Sequence, residues 1–171
     1  MDVFDLNHPP VAPVLILDFG SQYTQLIARR IRELNVFSMI VPGDVDKDRV
    51  FELNPQAIIF SGGPSSVYDE GAPRLSKGLL EEIQSREIPL LGICYGMQLL
   101  VHNLGGKVEG AKIREYGPTD LFPEKDSKLF SIWGEKANRV WMSHGDETKA
   151  LPGGFKIAAR SKDGGVSAIE S

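Results

Sequence analysis

The stretch Pro89-Leu90-Leu91-Gly92-Ile93-Cys94-Tyr95-Gly96-Met97-Gln98-Leu99-Leu100 constrains this chain more than any other. The apolar run from Leu90 to Ile93 has the character of a buried strand end, and an apolar helical pattern follows through Leu104. Between them, Gly92-Ile93-Cys94-Tyr95-Gly96 has the strand, sharp turn and helix of a nucleophile elbow, with cysteine at the reacting position. The glycines are needed because the nucleophile's backbone is strained and neighbouring chain passes close by. At a helix start the sulfur faces unpaired N–H groups and the positive end of the helix dipole, which favour the thiolate. Cys94 is the only cysteine, so no disulfide can form within the chain. A lone cysteine is most often a small core hydrophobe. The two glycines turn the reading to a nucleophile.

A length of 171 residues suits one domain with a sizeable core. Hydrophobic residues at 42% and charged residues at 25% are ordinary for a soluble globular protein. Nineteen basic against 23 acidic side chains leave a formal charge of −4, which argues against nucleic acid or a membrane surface as partner. No apolar run approaches the ~20 residues of a membrane-spanning helix. Met1 to Pro10 carries two acids and no Lys or Arg, unlike a secretory signal or transit peptide. With one unpaired thiol, the expected compartment is the reducing cytoplasm.

Residues 1–13, with Pro9, Pro10 and Pro13, read as a loose leader, and 14–171 as the domain. Val14 to Asp18 is a continuous apolar run, the pattern of a strand buried on both faces. Phe19-Gly20-Ser21 turns the chain, with Ser21 the expected N-cap. Tyr23, Leu26, Ile27, Arg30, Ile31 and Leu34 follow helical spacing, Arg30 snorkelling from the stripe's edge, while Arg29, Arg30 and Arg32 read as a solvated face. Val36 to Val41 reads as a strand, Asp46 to Leu53 as a short helix, and Ala57 to Phe60 as a strand ending at the glycine-rich turn 61–66. Leu75 to Ile83 reads as a helix before the strand that leads into Cys94. Such alternation predicts an α/β fold: an open, mostly parallel, doubly wound sheet with flanking helices. Beyond Gly105-Gly106 the texture becomes that of a small antiparallel β extension. Short extended stretches fall in Lys107–Leu121 and Arg139–Ser143, with a polar, loop-rich segment from Asp120 to Lys136. A hairpin follows, Phe155–Arg160 and Val166–Ile169, turning in 161–165.

A cysteine nucleophile needs oxyanion donors and a base. Gly62 and Gly63 lack a Cβ, so a backbone N–H there can approach a tetrahedral oxyanion, and the N–H of Tyr95 is the natural second donor in elbow geometry. Of the three histidines, His8 lies in the leader and His102 sits about 12 Å along the helix from Cys94. His144, in Met142-Ser143-His144-Gly145-Asp146, has a motif-like setting in which Gly145 allows a turn. The sequence has no metal-ligand spacing, no P-loop and no dinucleotide fingerprint.

Gly92-Ile93-Cys94-Tyr95-Gly96-Met97-Gln98 resembles the nucleophile motif of class I (triad-type) glutamine amidotransferases, in the form carried by the GMP synthase branch. The run Ile16–Arg30, with Ser61-Gly62-Gly63-Pro64 and Trp141-Met142-Ser143-His144-Gly145-Asp146, agrees with that branch in the same order. The resemblance implies that Cys94 attacks the side-chain amide of glutamine, with Gly63 and Tyr95 as backbone oxyanion donors. It implies that Gly62, Gln98, Ser143, His144, Gly145 and Asp146 hold the substrate and that the domain itself needs no metal or cofactor. The ammonia would pass to a separate ATP-binding domain, where ATP and Mg2+ serve the amination of xanthosine monophosphate to GMP. The branch's base is a histidine of a His-Pro-Glu motif, which these 171 residues do not contain, nor do they contain the Ser-Gly-Gly-x-Asp-Ser loop of the ATP-binding part. The expectation is therefore a C-terminally truncated amidotransferase domain whose glutamine hydrolysis, alone, stays near background. A non-catalytic glutamine-binding or regulatory module that docks on a synthetase is the alternative.

Overall fold

The computed structural model describes residues 11–134 and 136–171, and of residues 112–115 and 143–144 the backbone alone. The chain divides into two compact units between Leu99 and Leu100. The expected leader lies outside the described residues as far as residue 10. Its last two residues are tied down: Gln56 donates from its side chain to the Ala12 carbonyl at 2.9 Å and from its backbone to that of Pro13 at 3.0 Å.

The first unit is built on β1 (Val14–Asp18), β2 (Ser38–Pro42), β3 (Ala57–Phe60) and β4 (Leu90–Gly92), ordered β2-β1-β3-β4 with every neighbouring pair parallel. β1 lies between two strands, so Leu15, Ile16 and Leu17 are fully buried, as their unbroken apolar run requires. The helices are α1 (Thr24–Glu33), α2 (Lys47–Glu52), α3 (Leu79–Ser85) and α4 (Tyr95–Asn103). From β1 to β2 the chain steps one way along the sheet, and from β2 to β3 to β4 the other. Right-handed crossovers therefore set α1 on one face and α2 and α3 on the other. The winding reverses between β1 and β3, where ligands bind in sheets of this kind, beyond the strands' carboxyl ends.

Three local expectations change. Ser21 does not cap α1; the cap is Tyr23, whose N–H donates to Ser21 Oγ at 3.1 Å. The Thr24 hydroxyl turns back to Asp18 Oδ1 at 2.8 Å, so the strand end holds the first turn. The buried face of α1 is Thr24 and Ala28, with Ile27 and Ile31 half-buried, while Tyr23, Leu26 and Leu34 of the expected stripe are exposed. The small residues allow close approach to β2: Ser38 Oγ donates to the Ala28 carbonyl at 3.2 Å, and Arg32 donates to Ser38 Oγ at 3.0 Å. Arg29 and Arg30 are exposed, and both pair with Glu33. α3 begins at Leu79 rather than Leu75 because Gly78 has φ 79°, outside helical space.

The second unit holds β5 (Lys107–Pro123), β6 (Asn138–Ala150), β7 (Lys156–Ser161) and β8 (Val166–Glu170), an antiparallel sheet ordered β6-β5-β7-β8. It is larger than the small extension expected, because β5 and β6 stay paired across a register shift between Gly110 and Glu115. Its core is Leu121, Ala158, Ala159 and Ala168, with Phe130, Val140 and Met142 packed against it. The hairpin and its turn lie where expected, Gly164 taking φ 84°. The Glu170 carboxylate accepts N–H bonds from Leu129 (2.9 Å) and Lys128 (3.0 Å) and a hydroxyl bond from Ser127 (3.0 Å), with Lys156 Nζ 3.1 Å away. The Leu129 N–H is the largest cause holding its carboxyl down to about 2.

Candidate active site

Cys94 stands at the sharp turn between β4 and α4 with φ 52°, a left-handed conformation that costs a non-glycine residue about 1 kcal/mol. The turn is held from both sides. The Ile93 N–H donates to the Phe60 carbonyl at 2.9 Å, the Gly96 N–H to the carbonyls of Ile93 (2.9 Å) and Ser61 (3.1 Å), and the Gln98 N–H to the Cys94 carbonyl at 3.0 Å. A Cβ on Gly92 would lie 2.7 Å from the Met97 nitrogen, and one on Gly96 2.7 Å from the Phe60 carbonyl carbon. Strand and helix pass too closely for any larger residue. The glycines of the motif are a steric requirement.

The loop after β3 comes up beside the cysteine. A Cβ on Gly62 would be 3.5 Å from Cys94 Cβ and 3.5 Å from Ser21 Oγ, while one on Gly63 would be 2.5 Å from the Phe19 carbonyl oxygen. Gly63 lies in this loop and Tyr95 opens α4, the two residues whose N–H groups are expected to face an oxyanion. The Tyr95 ring is buried against Phe19 at 5.6 Å, and its phenol donates to the Pro73 carbonyl. Burial pushes that phenol's pKa up, with Arg74 opposing and Asp69 adding to the rise. Gln98, next along α4, is 5% exposed.

The structure thus brings Gly62, Gly63, Cys94, Tyr95 and Gln98 together in the first unit. Ser143, His144, Gly145 and Asp146 belong to the second, and they lie within strand β6, not in the turn that Gly145 suggested. Backbone pairing explains this: His144 stands opposite Glu115 and Asp146 opposite Gly110, so β5 draws the polar stretch into the sheet. Sequence reasoning gave no role to the Ser61 hydroxyl, which is fully buried, accepts from the Phe19 N–H at 3.0 Å and donates to the Gly62 carbonyl at 2.9 Å. Among the described residues, no His, Cys, Asp and Glu cluster could hold a metal ion, and no helix is long and apolar enough to cross a membrane.

The parallel sheet carries a cysteine at a strand–turn–helix elbow, with a glycine loop from the neighbouring strand end beside it. The class-I glutamine amidotransferase family model matches residues 15–171, and the chain belongs to that family. GMP synthases are among the relatives it matches. It is 53% identical over 158 residues to the glutamine-hydrolysing GMP synthase of Brachyspira hyodysenteriae, covering 92% of this chain and 30% of that one. To its counterpart from Clostridium kluyveri it is 50% identical over 158 residues, with the same coverage. The chain therefore spans about 30% of the length of these relatives. Among solved structures, a Thermoplasma acidophilum protein described as one subunit of a GMP synthase superposes with a TM-score of 0.80 at 29% identity, covering 93% of this chain and 77% of that one. A Thermotoga maritima glutamine amidotransferase superposes with a TM-score of 0.72 at 25% identity, covering 93% and 71%.

Proposed function

We propose that this chain is the glutamine-hydrolysing part of a GMP-forming enzyme, with Cys94 as nucleophile. The observation that carries the reading is the elbow: Cys94 at positive φ, between glycines that admit no Cβ, beside the Gly62-Gly63 loop. The Cys94 thiolate adds to the side-chain amide carbon of glutamine, and the oxygen takes the negative charge opposite the Gly63 and Tyr95 N–H groups. The tetrahedral species collapses as the nitrogen gains a proton and leaves as ammonia, giving a γ-glutamyl thioester. Water then cleaves the thioester to glutamate and restores the thiol. Gln98 helps to hold the glutamine. Amination of xanthosine monophosphate, with its ATP and Mg2+, belongs to a separate acceptor domain, and the reaction takes place in the cytoplasm.

A positioned base must take the proton from the Cys94 thiol and, as its conjugate acid, give it to the leaving nitrogen, and loss of one member of such a triad costs orders of magnitude in rate. These 171 residues carry no His-Pro-Glu, so ammonia release by the chain alone is expected at background. The test is twofold. Glutamine should slow iodoacetamide alkylation of Cys94, and ammonia release should equal that of Cys94→Ala. Alkylation indifferent to glutamine would refute the reading of the site, and turnover abolished by Cys94→Ala would place the base within the chain. Glutamine protection together with tight association to a synthetase, but no ammonia even in that complex, would favour the non-catalytic module instead.

A further inference from the structure

We infer that Ser61 is a positioning residue whose hydroxyl fixes the peptide between Gly62 and Gly63 and so aims the Gly63 N–H at the oxyanion. The inference rests on the reading of Cys94 as a nucleophile given above.

Ser61 follows β3, and each of its polar atoms is engaged with a different part of the site. Its N–H donates to the Leu17 carbonyl at 3.0 Å, which ties it to the end of β1. Its carbonyl accepts the Gly96 N–H at 3.1 Å, which ties it to the elbow. Its hydroxyl oxygen accepts the Phe19 N–H at 3.0 Å, so the hydroxyl proton is directed elsewhere, and it goes to the Gly62 carbonyl at 2.9 Å. The side chain is fully buried, so water does not compete for either bond.

A trans peptide is planar, with its C=O and N–H pointing in opposite directions. Holding the Gly62 oxygen on the Ser61 hydroxyl therefore fixes the direction of the Gly63 N–H on the far side of the same plane. Glycine makes the clamp necessary. Gly62 and Gly63 have no side chains to resist a flip of the peptide between them, and glycine populates both signs of φ. The Phe19 carbonyl packs against the Cα of Gly63, where a Cβ would be only 2.5 Å away, which bars a larger residue that could stiffen the loop. The site thus requires a flexible loop for close approach, and a neighbouring hydroxyl supplies the rigidity that glycine lacks. An oxyanion donor is effective only when it points at the developing charge beforehand.

The test compares two reactions of Cys94 that differ in whether an oxyanion forms. With p-nitrophenyl acetate, the thiolate adds to the ester carbonyl, charge develops on oxygen, and p-nitrophenolate leaves without needing a proton, giving an acetyl thioester. With iodoacetamide, the thiolate displaces iodide at a saturated carbon and no oxyanion arises. The quantity read is the ratio of the acylation burst rate to the alkylation rate. Ser61→Ala is expected to lower that ratio on the order of 10- to 100-fold through the acylation rate alone, alkylation staying unchanged. Ser61→Thr, which keeps donor and acceptor, is expected to hold the ratio near wild type. A ratio unchanged in Ser61→Ala, or lowered equally in both variants, would overturn the assignment. So would a Ser61→Ala whose Cys94 alkylates like free cysteine, since Ser61 would then hold the fold and not the peptide. A wild-type ratio no higher than that of free cysteine would instead defeat the oxyanion site itself, and the proposed function with it.

Discussion

Adding one methyl group at Gly96 should damage the site and the fold together. A Cβ there would lie 2.7 Å from both the carbonyl carbon and the Cβ of Phe60, against an ordinary carbon–carbon contact of about 3.5–4.0 Å. Strand and helix would have to part by about 1 Å. Phe60 is poorly placed to yield, being fully buried, with its carbonyl bonded to the Ile93 N–H and its ring 5.7 Å from that of Phe19. The helix start cannot yield without losing the bond from Gly96 to Ser61. Overpacking of this kind costs about 1–3 kcal/mol, and a clash with backbone belongs at the upper end. Replacing a helical glycine by alanine returns roughly 0.5–1 kcal/mol, leaving a net loss of about 2 kcal/mol for Gly96→Ala. For a chain of this size that is a fall in Tm of about 4–8 °C. Gly153→Ala is the control, since a Cβ there meets nothing within 4 Å and its effect should stay within about 0.5 kcal/mol. Thermal melts by circular dichroism, run beside the iodoacetamide rate of Cys94, give both readouts. Gly96→Ala melting with Gly153→Ala, and alkylating at the wild-type rate, would refute the steric account of the elbow.

Two further perturbations probe the supports on either side. Glu170→Gln should lower the melting temperature at neutral pH, because Leu129, Lys128, Ser127 and Lys156 all favour the carboxylate. The folded value of about 2 lies below the ordinary 4.5, so this stability is present in full above pH 4.5, is lost as pH falls toward 2, and the two melting curves should converge there; a pH-independent gap would argue against the ionic account. Tyr95→Phe leaves the Pro73 carbonyl without its phenol donor, at a cost of about 1 kcal/mol, and should speed proteolysis within the 62–78 loop; unchanged cleavage would mean that the loop is held by other contacts.

The parallel sheet was legible because its central strand β1 is buried on both faces, which leaves the unbroken apolar run Leu15-Ile16-Leu17. The face of α1 was not. Pattern reading counts large apolar side chains, and here the contact face is made of Thr24 and Ala28, residues chosen for close approach to β2 and not for hydrophobicity. β6 was under-read for a related reason. Ser143-His144-Gly145-Asp146 has no β pattern of its own and is held in the sheet by pairing with β5, a long-range contact that a local window does not contain.

The site follows the same division. Gly92 and Gly96 were legible because a steric requirement leaves only glycine possible there, and their local spacing frames Cys94. Ser61 was not, because a serine beside two glycines reads as an ordinary turn residue. Its importance lies in partners distant in the chain: Phe19 precedes it by 42 residues, and Gly96 lies 35 beyond it. On the proposed reading, the elbow alone presents a nucleophile. In the proposed mechanism the oxyanion donor from the neighbouring loop must be fixed relative to it by bonds that cross between strand ends, and Ser61 makes three of them, to Leu17, Phe19 and Gly96, besides its bond to the adjacent Gly62 carbonyl. A site assembled at strand ends places its reactive atom in local sequence and its aim in tertiary contacts, which is why a motif identifies the first and only the fold supplies the second.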